Sequence, residues 1–156
     1  MSHYKNIIIV GTNNTSRSFM AEVILHQLCM EHQLDDVEVV SRGLVVLFPE
    51  PVHPKAADVV REAGYSIRDF QASKLTAEDV EWADLILTIT SDEREKVRKE
   101  FEEELKNGTE VATLSEFASE QIGIPDPYGK ELEDYEHSFI TMKRMLEKCF
   151  DEKIAK

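Results

Sequence analysis

Short runs of aliphatic residues alternate with amphipathic segments along most of the chain. Four of these runs predict β-strands, at residues 7–10, 37–41, 85–90 and 111–114. Their nearly continuous Ile, Val and Leu content is typical of strands buried on both faces of a parallel sheet. The sequence therefore predicts an α/β fold, a four-stranded parallel sheet with helices on both faces.

Segments with a helical period lie between these strands and after the last one. They begin at Phe19 (to about residue 32), at Pro54 (to Gly64), at Asp92 (to residue 104, with Ser91 as N-cap) and at Leu132. The last helix presents one apolar face, made of Tyr135, Phe139, Met142, Leu146 and Phe150. Since no repeat or long linker divides the chain, a single domain over residues 1–156 is expected.

Composition narrows the classes of partner. The formal net charge is −13, which disfavours nucleic acid, because its phosphate backbone requires clustered Lys and Arg. No apolar run approaches the ~20 residues of a membrane span, and the N-terminus lacks the features of a signal peptide, so a cytoplasmic protein with no membrane partner is expected. The five histidines show no metal-ligand spacing, so no metal is expected. No other cofactor is expected either.

The two cysteines, Cys29 and Cys149, fall on the apolar faces of predicted helices. This placement predicts buried, reduced thiols that act as small hydrophobic side chains.

The segment VGTNNTSRS directly follows the first strand and leads into the first helix. Consecutive N–H groups over residues 12–17, together with the helix N-terminus, can surround an anion. Arg17 adds a planar guanidinium that matches two oxygens of phosphate or sulfate. Asn13 tolerates the positive φ that a tight loop needs. Further donors are the hydroxyl groups of Thr12, Thr15, Ser16 and Ser18.

Two other classes of phosphate loop fit less well. The nucleotide-binding pattern G-x-x-x-x-G-K-[ST] would place glycine at Ser16 and lysine at Arg17, and no acidic residue ends a later strand to hold magnesium. A flavodoxin-like FMN loop would need aromatic residues after the third strand, whereas Trp82 precedes it. Nucleotide or FMN binding remains a remote alternative.

Several motifs in order resemble the low-molecular-weight protein tyrosine phosphatases. VGTNNTSRSFMAE is similar to their signature V-C-x-G-N-x-C-R-S-P-M-A-E. SRGLVVLFPEPVHPKA, SKLTAEDVEWADLILTIT and IPDPYGKELEDY are similar to later segments of that family. The resemblance covers most of the chain and implies a flavodoxin-like fold of the phosphotyrosine phosphatase I type.

The resemblance also implies roles for individual residues. Arg17 would clamp the phosphoryl oxygens, Ser18 would be the supporting hydroxyl, and Asp126 would be the general acid and base. Asn14 matches a loop-shaping residue. Val45 and Tyr128 stand at positions that wall the substrate cleft, although Val45 replaces a usual aromatic residue.

The family's nucleophilic cysteine is missing, because its position is Gly11. Ser16 stands where a second cysteine is common, but a hydroxyl is a poor nucleophile without an adjacent base, and no histidine is near it in sequence. Three further departures surround the loop: Asn13 for glycine, Phe19 for proline and Phe70 for a buttressing histidine.

The sequence therefore predicts an inactive or severely impaired pseudophosphatase that binds phosphate, sulfate or a phosphorylated small molecule or protein. A working phosphatase that uses water or a hydroxyl, or an engineered mutant of an active enzyme, is the alternative. Arsenate reduction, another activity of this fold, is rejected, because it needs redox-active cysteines beyond the nucleophile, and Cys29 and Cys149 lie on helix faces far along the chain from the loop.

Overall fold

The four predicted strands form one parallel sheet in the computed structural model, which describes residues 4–67 and 69–155. The strands are β1 (Asn6–Gly11), β2 (Glu38–Gly43), β3 (Leu85–Thr88) and β4 (Glu110–Thr113). Their spatial order is β2-β1-β3-β4, and each adjacent pair is parallel. The predicted flavodoxin-like α/β architecture is confirmed.

Helices connect the strands and cover both faces of the sheet. They are α1 (Arg17–Glu31), α2 (Pro54–Glu62), α3 (Ala77–Trp82), α4 (Ser91–Glu100), α5 (Leu114–Phe117) and α6 (Leu132–Cys149). A 3-10 turn (Glu104–Asn107) follows α4, and a π-helical turn (Phe150–Ile154) ends the described chain. No helix in the described ranges is both long and apolar enough to cross a membrane.

The central strand β1 supplies side chains to two separate cores. Ile7 and Ile9 are buried against α1, α2, α5 and α6. Ile8 and Val10 are buried on the opposite face, with Val80 of α3 and Val97 of α4. Because successive side chains of a strand point to opposite faces, one aliphatic run holds both layers together.

Both cysteines lie inside the larger core, as predicted, and neither forms a disulfide. Burial raises the pKa of the Cys29 thiol to about 11 and that of the Cys149 thiol to about 12. Protonated thiols are poor nucleophiles, which agrees with their structural role.

Several predicted boundaries were wrong by a few residues. The N-cap of α4 is Thr90 rather than Ser91, because Thr90 has extended backbone and its side chain accepts the N–H of Glu93. Strand β3 consequently ends at Thr88. Helix α4 stops at Glu100 instead of continuing to residue 104, and α1 begins at Arg17, two residues before the predicted start.

The order of the strands places a topological switch point beside β1. The chain leaves β1 through α1 to reach β2 on one side, and it returns to β3 on the other. Ligands of open α/β sheets bind beyond the carboxyl ends of the strands at such a point. The segment that leaves β1 here, residues 12–16, is the predicted anion loop.

Candidate oxyanion-binding site

The loop after β1 lines a pocket of about 260 Å³. The described residues around it are Gly11, Thr12, Asn13, Asn14, Thr15, Ser16, Arg17, Ser18, Ile89, Glu93, Asp126 and Tyr128. The fold thus brings the D-P segment of the sequence over the loop, although more than 100 residues separate them. Gly11 ends β1, residues 12–16 form the loop, and Arg17 and Ser18 begin α1. The other lining residues follow β3, lie in α4 or belong to the D-P segment.

The main-chain carbonyls and the main-chain N–H groups of the loop have different partners. The carbonyls of Gly11, Thr12 and Thr15 accept hydrogen bonds from the N–H groups of Leu44, Val45 and His53, at 2.8–3.1 Å. In contrast, the N–H groups of residues 12–17 donate to no acceptor in the described part of the chain. Ser16, the N-cap of α1, makes no side-chain cap bond. Free donors at a helix N-terminus are suited to an anion.

Asn14 holds the loop in shape from below. Its side chain is buried, donates to the hydroxyls of Ser18 and Ser41 at 3.0 Å each, and accepts the main-chain N–H of Ser73 at 3.0 Å. Ser41 donates in turn to Glu22 at 2.6 Å. The positive φ of the loop, 61°, also belongs to Asn14, so its assignment to Asn13 was wrong.

Gly43 at the end of β2 lets this second strand approach the loop closely. A Cβ at Gly43 would come within 2.7 Å of Val46 Cγ2, 2.9 Å of the Thr12 carbonyl and 3.0 Å of Asn14 Cβ. Glycine is required by this contact rather than by a positive φ. The sequence pattern gave no sign of this constraint, because two of the three crowding atoms belong to Thr12 and Asn14, which are remote from Gly43 in sequence.

Arg17 and Asp126 face each other across the pocket. Arg17 is largely buried, and its Nη1 donates to the carbonyl of Ile124 at 3.0 Å. Its Nη2 lies 3.8 Å from Asp126 Oδ2. Asp126 is exposed and accepts the N–H of Tyr128 through its other oxygen, at 3.1 Å. The remaining guanidinium donors stay available to a ligand.

Gly11 forms the floor of the pocket beside Ser18. An ideal Cβ on Gly11 would lie 3.0 Å from Ser18 Oγ and 3.1 Å from Ser18 Cβ. Ser18 therefore fills part of the space that a side chain at position 11 would need. A small shift of Ser18, by a few tenths of an ångström, would make room for this Cβ.

Phe70 has no polar group that could hydrogen-bond Asn14, so it does not replace the buttressing histidine. It packs edge-to-face on Phe19, with ring centroids 4.8 Å apart. Two departures from the family pattern, at positions 19 and 70, are thus one aromatic pair behind the loop. The main-chain N–H of Ser73 makes the contact to Asn14 Oδ1.

The two predicted cleft residues occupy different places. Tyr128 is exposed and lines both the anion pocket and a neighbouring cleft of about 580 Å³. Val45 is exposed and lines only the neighbouring cleft, with Leu47 and Phe48. The cleft offers apolar contact beside the loop.

Glu93 is a site residue that the sequence analysis missed. It is buried, at 3% exposure, and lines the pocket. Its Oε2 accepts the hydroxyl of Thr12 at 2.7 Å, so that hydroxyl is directed to Glu93 and not to a ligand. Its Oε1 accepts the N–H groups of Ile89 and Thr90 at 3.1 and 2.8 Å. The capping pattern T-x-x-E of α4 signals the helix end, but not this contact across 81 residues.

His53 is spatially near Ser16, although it is remote in sequence. Its Nε2 lies 3.3 Å from the Tyr135 hydroxyl, and Tyr135 hydrogen-bonds Ser16. Burial raises the pKa of Tyr135 above its ordinary value. His53 Nδ1 accepts the N–H of Lys55 at 3.2 Å, so the neutral ring carries its proton on Nε2. In that form Nε2 is a donor and cannot take a proton from Ser16.

The model of one protein family matches nearly the whole chain. The family is the low molecular weight phosphotyrosine protein phosphatases, and the match covers residues 6–156. The chain belongs to this family.

Known phosphatases resemble the chain in sequence and in structure. Etp of Escherichia coli K12, a low molecular weight protein-tyrosine-phosphatase, is 33% identical over 141 residues, which are 90% of this chain and 89% of Etp. The YwlE arginine phosphatase of Geobacillus stearothermophilus has a TM-score of 0.83 at 28% identity, covering 95% of this chain and 92% of its own.

A further YwlE structure is a cysteine-to-serine mutant whose active-site serine is phosphorylated. Its TM-score is 0.84 at 27% identity, covering 94% of each chain. In that phosphatase a hydroxyl in place of the thiol accepts a phosphoryl group.

Proposed function

We propose that this member of the phosphatase family is a pseudophosphatase, which binds phosphorylated ligands and does not turn them over. One observation carries the proposal: the amide-lined loop and Arg17 are intact around a residue, Gly11, that has no side chain. The groups that would bind a phosphoryl group are present, whereas the group that would attack it is absent.

The chemistry of phosphate ester cleavage supports the loss of turnover. A covalent mechanism needs a nucleophile at the loop floor, where only hydrogen is present on Gly11. The hydroxyl of Ser16 is in contact with Tyr135, and the His53 ring behind it presents a proton instead of accepting one. Removing the nucleophile of a serine protease lowers kcat by roughly 10⁶-fold, and a comparable loss is expected here.

The ligand we propose is a phosphorylated side chain on a protein or peptide. Relatives are named for phosphotyrosine and for phosphoarginine, and both place a phosphoryl group at the end of a long side chain. The apolar cleft with Val45, Leu47, Phe48 and Tyr128 would contact the stem of such a side chain. Asp126 and Tyr128 would lie at its edge.

The binding part of the proposal is tested by calorimetric titration with inorganic phosphate. Arg17→Ala removes the bidentate clamp, and we expect at least roughly tenfold weaker binding, since charge-assisted hydrogen bonds are the strong ones. Arg61→Ala is the matched control, because Arg61 is exposed on α2 and outside the pocket. Equal affinity of the wild-type chain and Arg17→Ala would refute the anion site.

The catalytic part is tested by hydrolysis of an aryl phosphate. We expect the unmodified chain to show no turnover above background. Gly11→Cys should gain activity, since Arg17 and Asp126 already face the pocket and the helix N-terminus would lower the pKa of the new thiol. Turnover by the unmodified chain at the rate of Gly11→Cys would overturn the pseudophosphatase assignment and favour water or a hydroxyl as nucleophile.

A further inference from the structure

The proposed anion pocket contains a buried carboxylate, which is unexpected because it would repel an anion. Glu93 lines the same pocket as Gly11 and Arg17, and it is almost inaccessible to solvent. A buried charge with no role in binding would repel every anion that enters. We propose that Glu93 makes the pocket selective for oxyanions that carry a proton, so that hydrogen phosphate and singly protonated phosphate monoesters bind while sulfate is rejected.

This inference rests on the proposed function, and it names the ligand class more narrowly. It concerns recognition alone, since no bond is made or broken.

The hydrogen bonds of Glu93 leave one acceptor position open. A carboxylate oxygen has two lone pairs. Oε1 uses both, for the N–H groups of Ile89 and Thr90. Oε2 uses one, for the Thr12 hydroxyl at 2.7 Å. In the described part of the chain no other donor reaches Oε2, so one lone pair remains for a donor in the pocket.

Thr12 and the two residues after β3, Ile89 and Thr90, also fix where this acceptor lies. Three bonds from two different segments hold the carboxylate, so it cannot turn away when an anion binds. A ligand oxygen that meets Oε2 must therefore supply a hydrogen or remain unpaired against a charge. An unpaired buried acceptor is costly.

The charges around the pocket favour the same class of ligand. Among the described residues that line it, Arg17 is the only cation, whereas Glu93 and Asp126 are carboxylates. Attraction for an anion thus depends on the main-chain N–H groups and one guanidinium. A proton on the ligand reduces its charge and converts a repulsive contact with Glu93 into a hydrogen bond.

Phosphate and sulfate differ in whether they carry a proton that could be donated to Glu93. Both are tetrahedral and nearly equal in size. Inorganic phosphate retains a proton near neutral pH, whereas a monoester keeps its last proton only below a pKa of about 6, so a monoester would bind here in its protonated form. Sulfate has no proton to donate under these conditions. A site of amides and arginine alone would accept both anions.

The test compares both anions by calorimetry at a pH where each carries two negative charges, so that they differ chiefly in the proton on phosphate. The wild-type chain, Glu93→Gln and Glu116→Gln are titrated in parallel. Glutamine preserves the T-x-x-E/Q capping pattern, so Glu93→Gln is expected to fold. Glu116 occupies the same capping position in α5 and lies outside the pocket, and its replacement removes the same charge.

We expect the wild-type chain to bind phosphate at least roughly tenfold more tightly than sulfate, which is the cost of an unpaired buried acceptor. In Glu93→Gln the ratio of phosphate affinity to sulfate affinity should fall close to one. The cause would be mainly stronger sulfate binding, because the glutamine amide can donate a hydrogen bond to sulfate. Glu116→Gln should keep the wild-type ratio.

A wild-type ratio near one would overturn the inference and leave the proposed function standing. An unchanged preference in Glu93→Gln would do the same. If the wild-type chain bound neither anion, the inference and the proposed function would fall together. The comparison of phosphate and sulfate affinity in the wild-type chain tests the inference even if Glu93→Gln does not fold.

Discussion

At the scale of single residues, the candidate site depends on a few buried contacts beneath the loop. Asn14 uses both donors and its acceptor on Ser18, Ser41 and Ser73. Gly43 supplies the space that allows β2 to reach the loop. These contacts hold the loop in shape above Gly11, which carries no reactive side chain.

Gly43→Ala should disturb the loop without touching a ligand. The new Cβ would crowd Val46, the Thr12 carbonyl and Asn14 at 2.7–3.0 Å. We expect a loss of about 1–3 kcal/mol in the free energy of unfolding, measured with urea, and weaker phosphate binding.

Gly123→Ala is the control for this change, because a Cβ there meets nothing within 4 Å. If both variants lost the same stability and affinity, crowding beneath the loop would not be the cause.

Asn14→Ala should cost more than a surface substitution, because it removes three hydrogen bonds, two of them buried, and places alanine at a positive φ of 61°. We expect a loss of at least about 2 kcal/mol in the free energy of unfolding. Thermal unfolding of Asn14→Ala and of the control variant Asn13→Ala tests this expectation, since Asn13 is the same residue type in the same loop but is exposed. Equal melting temperatures for the two variants would show that the Asn14 contacts contribute little.

At the scale of elements, the sequence predicted the strands better than the helix boundaries and the site. Aliphatic runs marked all four strands, because a parallel strand buried on both faces must be apolar throughout. The short helices α3 and α5 were not predicted, since six and four residues are too few to display a helical period. Adjacent hydroxyls at positions 90 and 91 made the cap of α4 ambiguous until the backbone was known.

The site divides in the same way. Residues of the loop were found because they are consecutive and follow a strand. Glu93, Gly43 and His53 were missed because each acts through contacts between distant segments, which no local pattern encodes. The Phe19–Phe70 pair likewise joins α1 to the segment after α2.

This aromatic pair predicts energetic coupling between two elements. In a double-mutant cycle of Phe19→Leu and Phe70→Leu, we expect a coupling free energy of about 0.5–1.5 kcal/mol, as for edge-to-face pairs. Urea unfolding of the four chains measures it. Strictly additive losses would mean that the two rings contribute independently.

At the scale of the whole molecule, an acidic chain encloses a core with two protonated thiols. The net charge of −13 lies on the protein as a whole, whereas Arg17 provides local attraction at the loop. Local donors can thus hold an anion on a protein of the same sign.

The buried thiols predict a loss of stability in alkali. The pKa of Cys149 rises from 9.0 to about 12 on folding. Above pH 9 the unfolded chain therefore releases a proton that the folded chain keeps, so the free energy of unfolding falls as pH rises from about 9 towards 12. Unfolding titrations should show this slope and a shallower one in Cys149→Ala. An identical slope in the variant would assign the effect to other groups.

The most direct test of the central claim is an NMR titration of the ¹⁵N-labelled chain with inorganic phosphate. The account predicts saturable shifts concentrated in the main-chain amides of residues 12–18, with no hydrolytic turnover of a phosphate ester by the same sample. Amide shifts that fail to saturate, or that saturate elsewhere and leave this loop unaffected, would contradict it.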